Sequence, residues 1–106
     1  MRDTSARRLQ KVIPFGINNA LTIQQLMEIQ QLMEKCNTDE MVIRCAVTIL
    51  RQHGVLIFTT EDGRYYQPAD ASELEEYRQR RPAELRTMLA FRNMRHYGFN
   101  QRAENE

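Results

Sequence analysis

The sequence is poor in the residues that build reactive or membrane-embedded sites. It has two cysteines, Cys36 and Cys45, and two histidines, His53 and His96. Two cysteines cannot form a disulfide framework, and neither stands in a CxxC or beside a histidine at metal-ligand spacing, so both read as reduced thiols. No apolar run reaches the roughly 18 residues of a membrane-spanning helix. The start, Met1-Arg2-Asp3-Thr4-Ser5-Ala6-Arg7-Arg8, lacks the apolar stretch of a secretory signal, and a cytoplasmic location is expected. There is no Gly-rich phosphate loop, and neither histidine has a nucleophile near it in sequence. These absences point away from an enzyme, a metal site, a cofactor, a small-molecule substrate and a membrane partner.

What is present suits one compact domain of 106 residues, with 42% hydrophobic and 27% charged residues as in a folded globular protein. The net charge of +1 conceals an uneven distribution. Residues 1–11 carry Arg2, Arg7, Arg8 and Lys11 against Asp3, a net of +3. Residues 22–62 carry Lys35, Arg44 and Arg51 against Glu28, Glu34, Asp39, Glu40, Glu61 and Asp62, a net of −3. Residues 78–102 carry Arg78, Arg80, Arg81, Arg86, Arg92, Arg95 and Arg102 against Glu84, a net of +6. Thirteen of the fifteen basic residues are arginine, whose planar fork suits paired hydrogen bonds to phosphate or carboxylate, so an anionic partner is favoured.

Residues 1–11 show no apolar periodicity and read as a flexible basic arm, and Val12 to Leu21 as an extended segment laid over a core. Thr22 and Gln25 have the spacing of a capping box, and Ile23, Leu26, Met27, Gln30 and Met33 then trace one helical face, predicting a helix to about Lys35. Asn37 and Glu40 repeat that spacing before Val42, Cys45, Ala46, Ile49 and Leu50, predicting a second helix from about Thr38 to His53 with Gly54 as its stop. Val55 to Thr60 is rich in β-branched and aromatic residues. Asp62-Gly63 then signals a type I′ hairpin turn before Tyr65-Tyr66-Gln67. Tyr65 and Tyr66 should point to opposite faces, one packed inward and one available. Asp70 and Glu73 form a third capping box ahead of a C-terminal helix over 71–97, which Pro82 should kink or restart. Residues 12–97 thus form the domain, and 98–106 a disordered polar tail. Met27, Met33, Met41, Met88 and Met94 fall at helical positions and read as core filler.

Helix, turn, helix and hairpin in that order make an α+β, mostly helical chain with the layout of a winged helix-turn-helix, a two-stranded wing and an arginine-rich C-terminal helix. Ile13-Pro14-Phe15-Gly16, Asn19-Ala20-Leu21-Thr22, Leu50-Arg51-Gln52-His53-Gly54-Val55 and Gly63-Arg64-Tyr65-Tyr66-Gln67-Pro68 resemble landmarks of short winged-helix proteins of prophages and bacterial mobile elements. The resemblance covers about half the chain. It implies a non-enzymatic duplex DNA-binding protein acting in transcription regulation or element replication.

In that reading the second helix presents Glu40, Arg44, Val47, Thr48 and Arg51 outward, with Arg44, Thr48 and Arg51 reading the groove. Arg64 steadies the wing, and Arg78, Arg81, Arg86 and Arg92 hold phosphates. Asp39 and Glu40 oppose phosphate at the helix start, although carboxylates there also complement the helix dipole. With two helices before the hairpin, the natural candidate for a third is the C-terminal helix, of the same chain or of a second copy in a homodimer. The competing reading is a protein-interaction or oligomerisation module, with Leu85, Met88 and Leu89 as the oligomer contact.

Overall fold

The computed structural model describes the backbone of residues 4–34 and 39–105 and the side chains of residues 6–33 and 39–94. Among them, helix α1 (Thr4–Val12) leads through a 3₁₀ turn (Ile17–Asn19) to α2 (Ile23–Glu34) and α3 (Glu40–Gln52). The hairpin strands β1 (Phe58–Thr59) and β2 (Tyr65–Tyr66) follow, then α4 (Ala71–Arg80) and α5 (Pro82–Asn105). The chain is therefore mostly helical, with one antiparallel two-stranded hairpin paired Phe58 to Tyr66 and Thr59 to Tyr65.

The stretch expected to be a flexible arm is instead a packed helix. Ala6, Leu9 and Ile13 lie three and four residues apart, so they share one face. They are buried against Leu26, Ile43, Ala46, Val47, Leu50 and Ile57. Packing of α1 on both α2 and α3 makes it the third helix of the bundle. The three-helix core is thereby closed within one chain, and neither the C-terminal helix nor a second copy is needed to close it.

The helix ends follow the sequence closely where they are described. The Thr22 backbone N–H donates to Gln25 Oε1 at 2.9 Å and the Gln25 N–H to Thr22 Oγ1 at 3.1 Å, a reciprocal capping box. The cap of α3 is Asp39, whose carboxylate accepts from Val42 N at 3.0 Å. The expected cap Asn37 and the expected ends at Lys35 and Thr38 lie outside the described residues. At the other end of α3, Val55 N donates to Leu50 O and Gly54 N to Arg51 O, both at 3.0 Å, the bond pair of a Schellman stop. Gly54 takes φ +90° there, and a Cβ on it would lie 3.2 Å from the Cα of Arg92 on α5. Glycine thus serves both the turn and a close helix approach.

The buried edge of α3 is Ile43, Ala46, Val47 and Leu50, one residue round from the expected face. Val47, expected outward, is 4% exposed, whereas Val42 and Cys45 face solvent. Only three-dimensional packing chooses between these faces, because both are apolar at helical spacing.

The hairpin loop differs from the expected type I′ turn. Gly63 N donates to Thr60 O at 3.1 Å and Thr60 N to Arg64 O at 2.8 Å, with Gly63 at φ +84°. That is a three-residue loop in which glycine follows the turn as a bulge. Leu21 pairs with Tyr65 in an antiparallel bridge, and Phe15 with Gln67 in a parallel one. The segment between α1 and α2 thus lies extended along β2 on either side of its 3₁₀ turn.

A second core joins Ala20, Phe58, Tyr66, Tyr77, Leu85 and Met88. Phe58 stacks on Tyr77 at 4.0 Å between centroids and meets Tyr66 edge-on at 5.7 Å. Such aromatic pairs contribute roughly 0.5–1.5 kcal/mol each beyond their area. Burial raises the ionisation of both tyrosines above the usual phenol range. Tyr65 packs partly buried against the first core, so both hairpin tyrosines are engaged.

Helix α4 opens on Asp70, which accepts from Glu73 N at 3.0 Å. Glu73 uses one carboxylate oxygen on Ala69 N and the other on Ile17 N, both at 3.0 Å, and so ties α4 to the 3₁₀ turn. Pro82 restarts the helix rather than kinking it, since proline suits a first helical position where no N–H is needed. The α5 backbone continues through Gly98 to Asn105, beyond the end expected near Tyr97. No helix among the described residues is long and apolar enough to cross a membrane.

Candidate nucleic-acid interface

With its inner edge buried, α3 turns Glu40, Arg44, Thr48 and Gln52 to solvent, each about one turn from the next. Arg44 meets Glu40 at 3.5 Å, and its side chain remains 61% exposed. A pair that exposed stabilises by roughly 0–1 kcal/mol, so a phosphate or guanine edge can displace the carboxylate. Thr48 Oγ1 donates to Arg44 O at 3.0 Å, which holds the hydroxyl against its own helix while the residue stays exposed. Asp39 and Glu40 serve the helix start, one as cap and one as a first-turn acid.

Arg51 does not belong to this strip. Its Nε and Nη2 donate to Ile57 O at 2.9 and 2.6 Å, and Nη1 meets Glu84 of α5 at 3.4 Å. The guanidinium ties the segment leading into β1 to α5, because a partly buried arginine is held by every acceptor that replaces its lost water. The expected groove reader is therefore a structural cross-brace.

The hairpin loop carries Arg64, paired with Asp62 at 3.0 Å. Asp62 also accepts from Thr60 Oγ1, the main reason its carboxyl sits below the usual carboxylate range, followed by Arg64. The charge of Arg64 is thus locally balanced by Asp62, although Arg64 stays exposed.

The C-terminal arginines divide into two groups. Arg78 pairs with Glu75 at 3.3 Å, Arg80 with Glu76 at 2.8 Å and Arg81 with Glu84 at 3.2 Å. Arg80 also lies 5.0 Å over the Tyr77 ring and donates to Tyr66 Oη at 3.4 Å. Arg86 and Arg92 are exposed and have no ion-pair partner among the described residues. The side chains of Arg95, His96 and Arg102 lie outside the described residues. Much of the expected positive face is therefore balanced by carboxylates of the same helices.

Leu85 and Met88 are 1% and 2% exposed in the second core, with Leu89 packed beside them, so the expected oligomer contact is interior. Among the methionines, Met88 fills core as expected, whereas Met33, Met41 and Met94 are exposed. His53 is the C-cap of α3, and Cys45 is a free, exposed thiol. Cys36 lies outside the described residues. Among the described residues no group of three or more His, Cys, Asp or Glu side chains is placed to hold a metal.

Sequence reasoning counted Arg7 and Lys11 within a basic arm but gave them no place in a site. Arg7 and Lys11 are exposed, and neither has a carboxylate partner among the described residues. The signal was available in the spacing of Ala6, Leu9 and Ile13, which turns Arg7 and Lys11 to the other side of a helix. Set against known proteins, the chain matches no family model, and neither the curated proteins nor the solved structures contain a significant match.

Proposed function

We propose that this chain is a winged-helix protein that binds duplex DNA through α3, without enzymatic activity, as a regulator in the phage or mobile-element setting that the sequence resemblance implies. The reading is supported by the element order. A helix, a one-residue bridge at Leu21, two further helices and a hairpin correspond to the winged helix-turn-helix, and Leu21 flanks β2 as a short third strand would. The observation that carries it is the exposed Arg44–Thr48–Gln52 strip on the helix that such a fold lays in the major groove. Arginine reads guanine, glutamine reads adenine, and threonine contacts either a base or a phosphate.

The test is fluorescence anisotropy of the full chain against a random duplex pool across a salt series. Duplex binding should weaken steeply as salt rises, and Arg44→Glu with Arg64→Glu should lower both the affinity and the salt slope, by roughly 0.9 for each phosphate no longer neutralised. Unchanged binding in that double variant removes α3 and the hairpin from the interface.

A second reading rests on one specific observation. Leu32 and Met33 at the end of α2 and Met41 and Val42 at the start of α3 are all exposed, Leu32 at 79% and Met41 at 66%. Four large apolar side chains at the facing ends of two consecutive helices suit a self-association contact better than a phosphate surface. Under this reading Leu32→Lys with Met41→Lys lowers the mass found by light scattering, and a monomeric mass for the parent protein excludes it.

A further inference from the structure

Phe15 is 61% exposed, yet the backbone on either side of it is held by hydrogen bonds. Gln67 N donates to Pro14 O at 2.7 Å, Gly16 N donates to Gln67 O at 2.8 Å, and Asn19 Nδ2 donates to Phe15 O at 3.0 Å. The buried Gln67 amide also donates to Gln10 O at 3.0 Å and Ile13 O at 2.9 Å, closing the end of α1 from which Phe15 departs. The ring is thus displayed on a rigid mount, where a loose loop would let an apolar side chain fold back.

Two open concavities meet at this ring. One, of about 320 Å³, is lined by Arg7, Gln10, Lys11, Phe15 and Gln67. The other, of about 300 Å³, shares Gln10, Phe15 and Gln67 and ends at Arg92 of α5. Phe15 therefore stands between Arg7 and Lys11 on one side and Arg92 on the other. None of the three cations has a carboxylate partner among the described residues, unlike Arg78, Arg80 and Arg81. Glu73 lies near Gly16, but both of its oxygens are held by backbone N–H groups.

We propose that this face binds single-stranded nucleic acid, with an unpaired base stacked on Phe15 and the neighbouring phosphates held by Arg7 and Lys11 on one side and Arg92 on the other. An exposed aromatic flanked by unpaired cations is the combination that single strands use, since every base offers a π-face and every linkage a charge. A duplex keeps its bases stacked inside and would have to unstack to use the ring. An acidic peptide would use the cations but leave the ring without a partner. The site is independent of α3 and stands or falls separately from the duplex reading.

The test is anisotropy of the full chain with labelled oligo(dT) and with an abasic oligomer of equal length, each across a salt series. The parent protein should bind oligo(dT) more tightly than the abasic strand. Phe15→Ala should weaken oligo(dT) binding about fivefold to a hundredfold and leave the abasic strand unaffected. Phe15→Leu, which keeps apolar bulk but lacks the ring, should behave like Phe15→Ala. Arg7→Glu with Lys11→Glu should weaken both ligands and reduce the salt slope by roughly 1.4, at about 0.7 per phosphate on a single strand. Equal affinity for the two strands, unchanged binding in both Phe15 variants, or no binding by the parent even at low salt overturns the proposal. Competition by polyglutamate as strong as by oligo(dT) also overturns it and assigns the face to an acidic peptide.

Discussion

Arg7 and Lys11 of α1 and the arginines of α4 and the first turn of α5 look alike when counted along the chain, yet their surroundings are opposite. Arg78, Arg80 and Arg81 each meet a glutamate three or four residues away on the same stretch of chain. Arg7 and Lys11 belong to a helix whose described residues contain no acid. A block count that begins at residue 78 separates Glu75 and Glu76 from the arginines they neutralise. Charge organised at helical spacing matters more than charge summed over a window, because a carboxylate within one turn both screens and orients the cation. The region with the larger formal excess is thus partly neutralised, whereas Arg7 and Lys11 in the smaller one are open to an external anion.

Arg51 marks the far end of that contrast, a cation enclosed within the fold. Arg51→Ala should destabilise the protein by about 2–3 kcal/mol in urea unfolding, since it removes charged hydrogen bonds to Ile57 O and one of the two arginine partners of Glu84. A loss below about 0.5 kcal/mol would place Arg51 among the surface arginines instead, where exposed pairs contribute little.

Next in size is Gly54→Ala, which forces a side chain into the left-handed region and towards Arg92. Left-handed backbone alone costs about 1–2 kcal/mol for a non-glycine residue, so the midpoint of thermal unfolding should fall by several degrees. An unchanged midpoint would mean that residue 54 need not hold the left-handed turn at the end of α3.

Tyr66 and Tyr77 sharpen the comparison from the aromatic side. Burial raises both above the usual value of 10.0, so the folded state keeps protons that the unfolded state releases. Their stabilising contribution is complete below about pH 10 and is lost as pH rises from there through the folded-state values. Urea midpoints should therefore hold steady between neutral pH and about pH 9 and fall above about 10. Tyr77→Phe, which keeps the stack on Phe58, should flatten part of that fall. An equally steep fall in the variant would assign the alkaline transition elsewhere.

The smallest effect is expected at Glu75. Glu75→Gln should change stability by no more than about 0.5 kcal/mol, because its pair with Arg78 is exposed. If the freed Arg78 can reach a phosphate, the salt slope of duplex binding should steepen by roughly 0.9. An unchanged slope would place that face of α4 away from the DNA.

Local features were well legible from sequence. The Thr22–Gln25 box, the Gly54 stop, the Asp70 cap and the restart at Pro82 all stand where residue type demanded them. Each is decided by chemistry within about one turn of the chain. Helix α1 was missed because its basic residues obscured a short apolar face of Ala6, Leu9 and Ile13, and its burial depends on partners in α2 and α3.

The sequence by itself determined where the helices α2 to α4 and the hairpin lie and which residue types punctuate them, since caps, glycine turns and proline act locally. Only the tertiary structure decided which edge of α3 faces inward, that Arg51 braces the segment before β1 against α5, and that Leu85 and Met88 are interior. It alone set Arg7, Lys11 and Arg92 around Phe15. These outcomes depend on contacts between residues far apart in the chain, where several apolar faces compete for one core and the packing that excludes most water prevails.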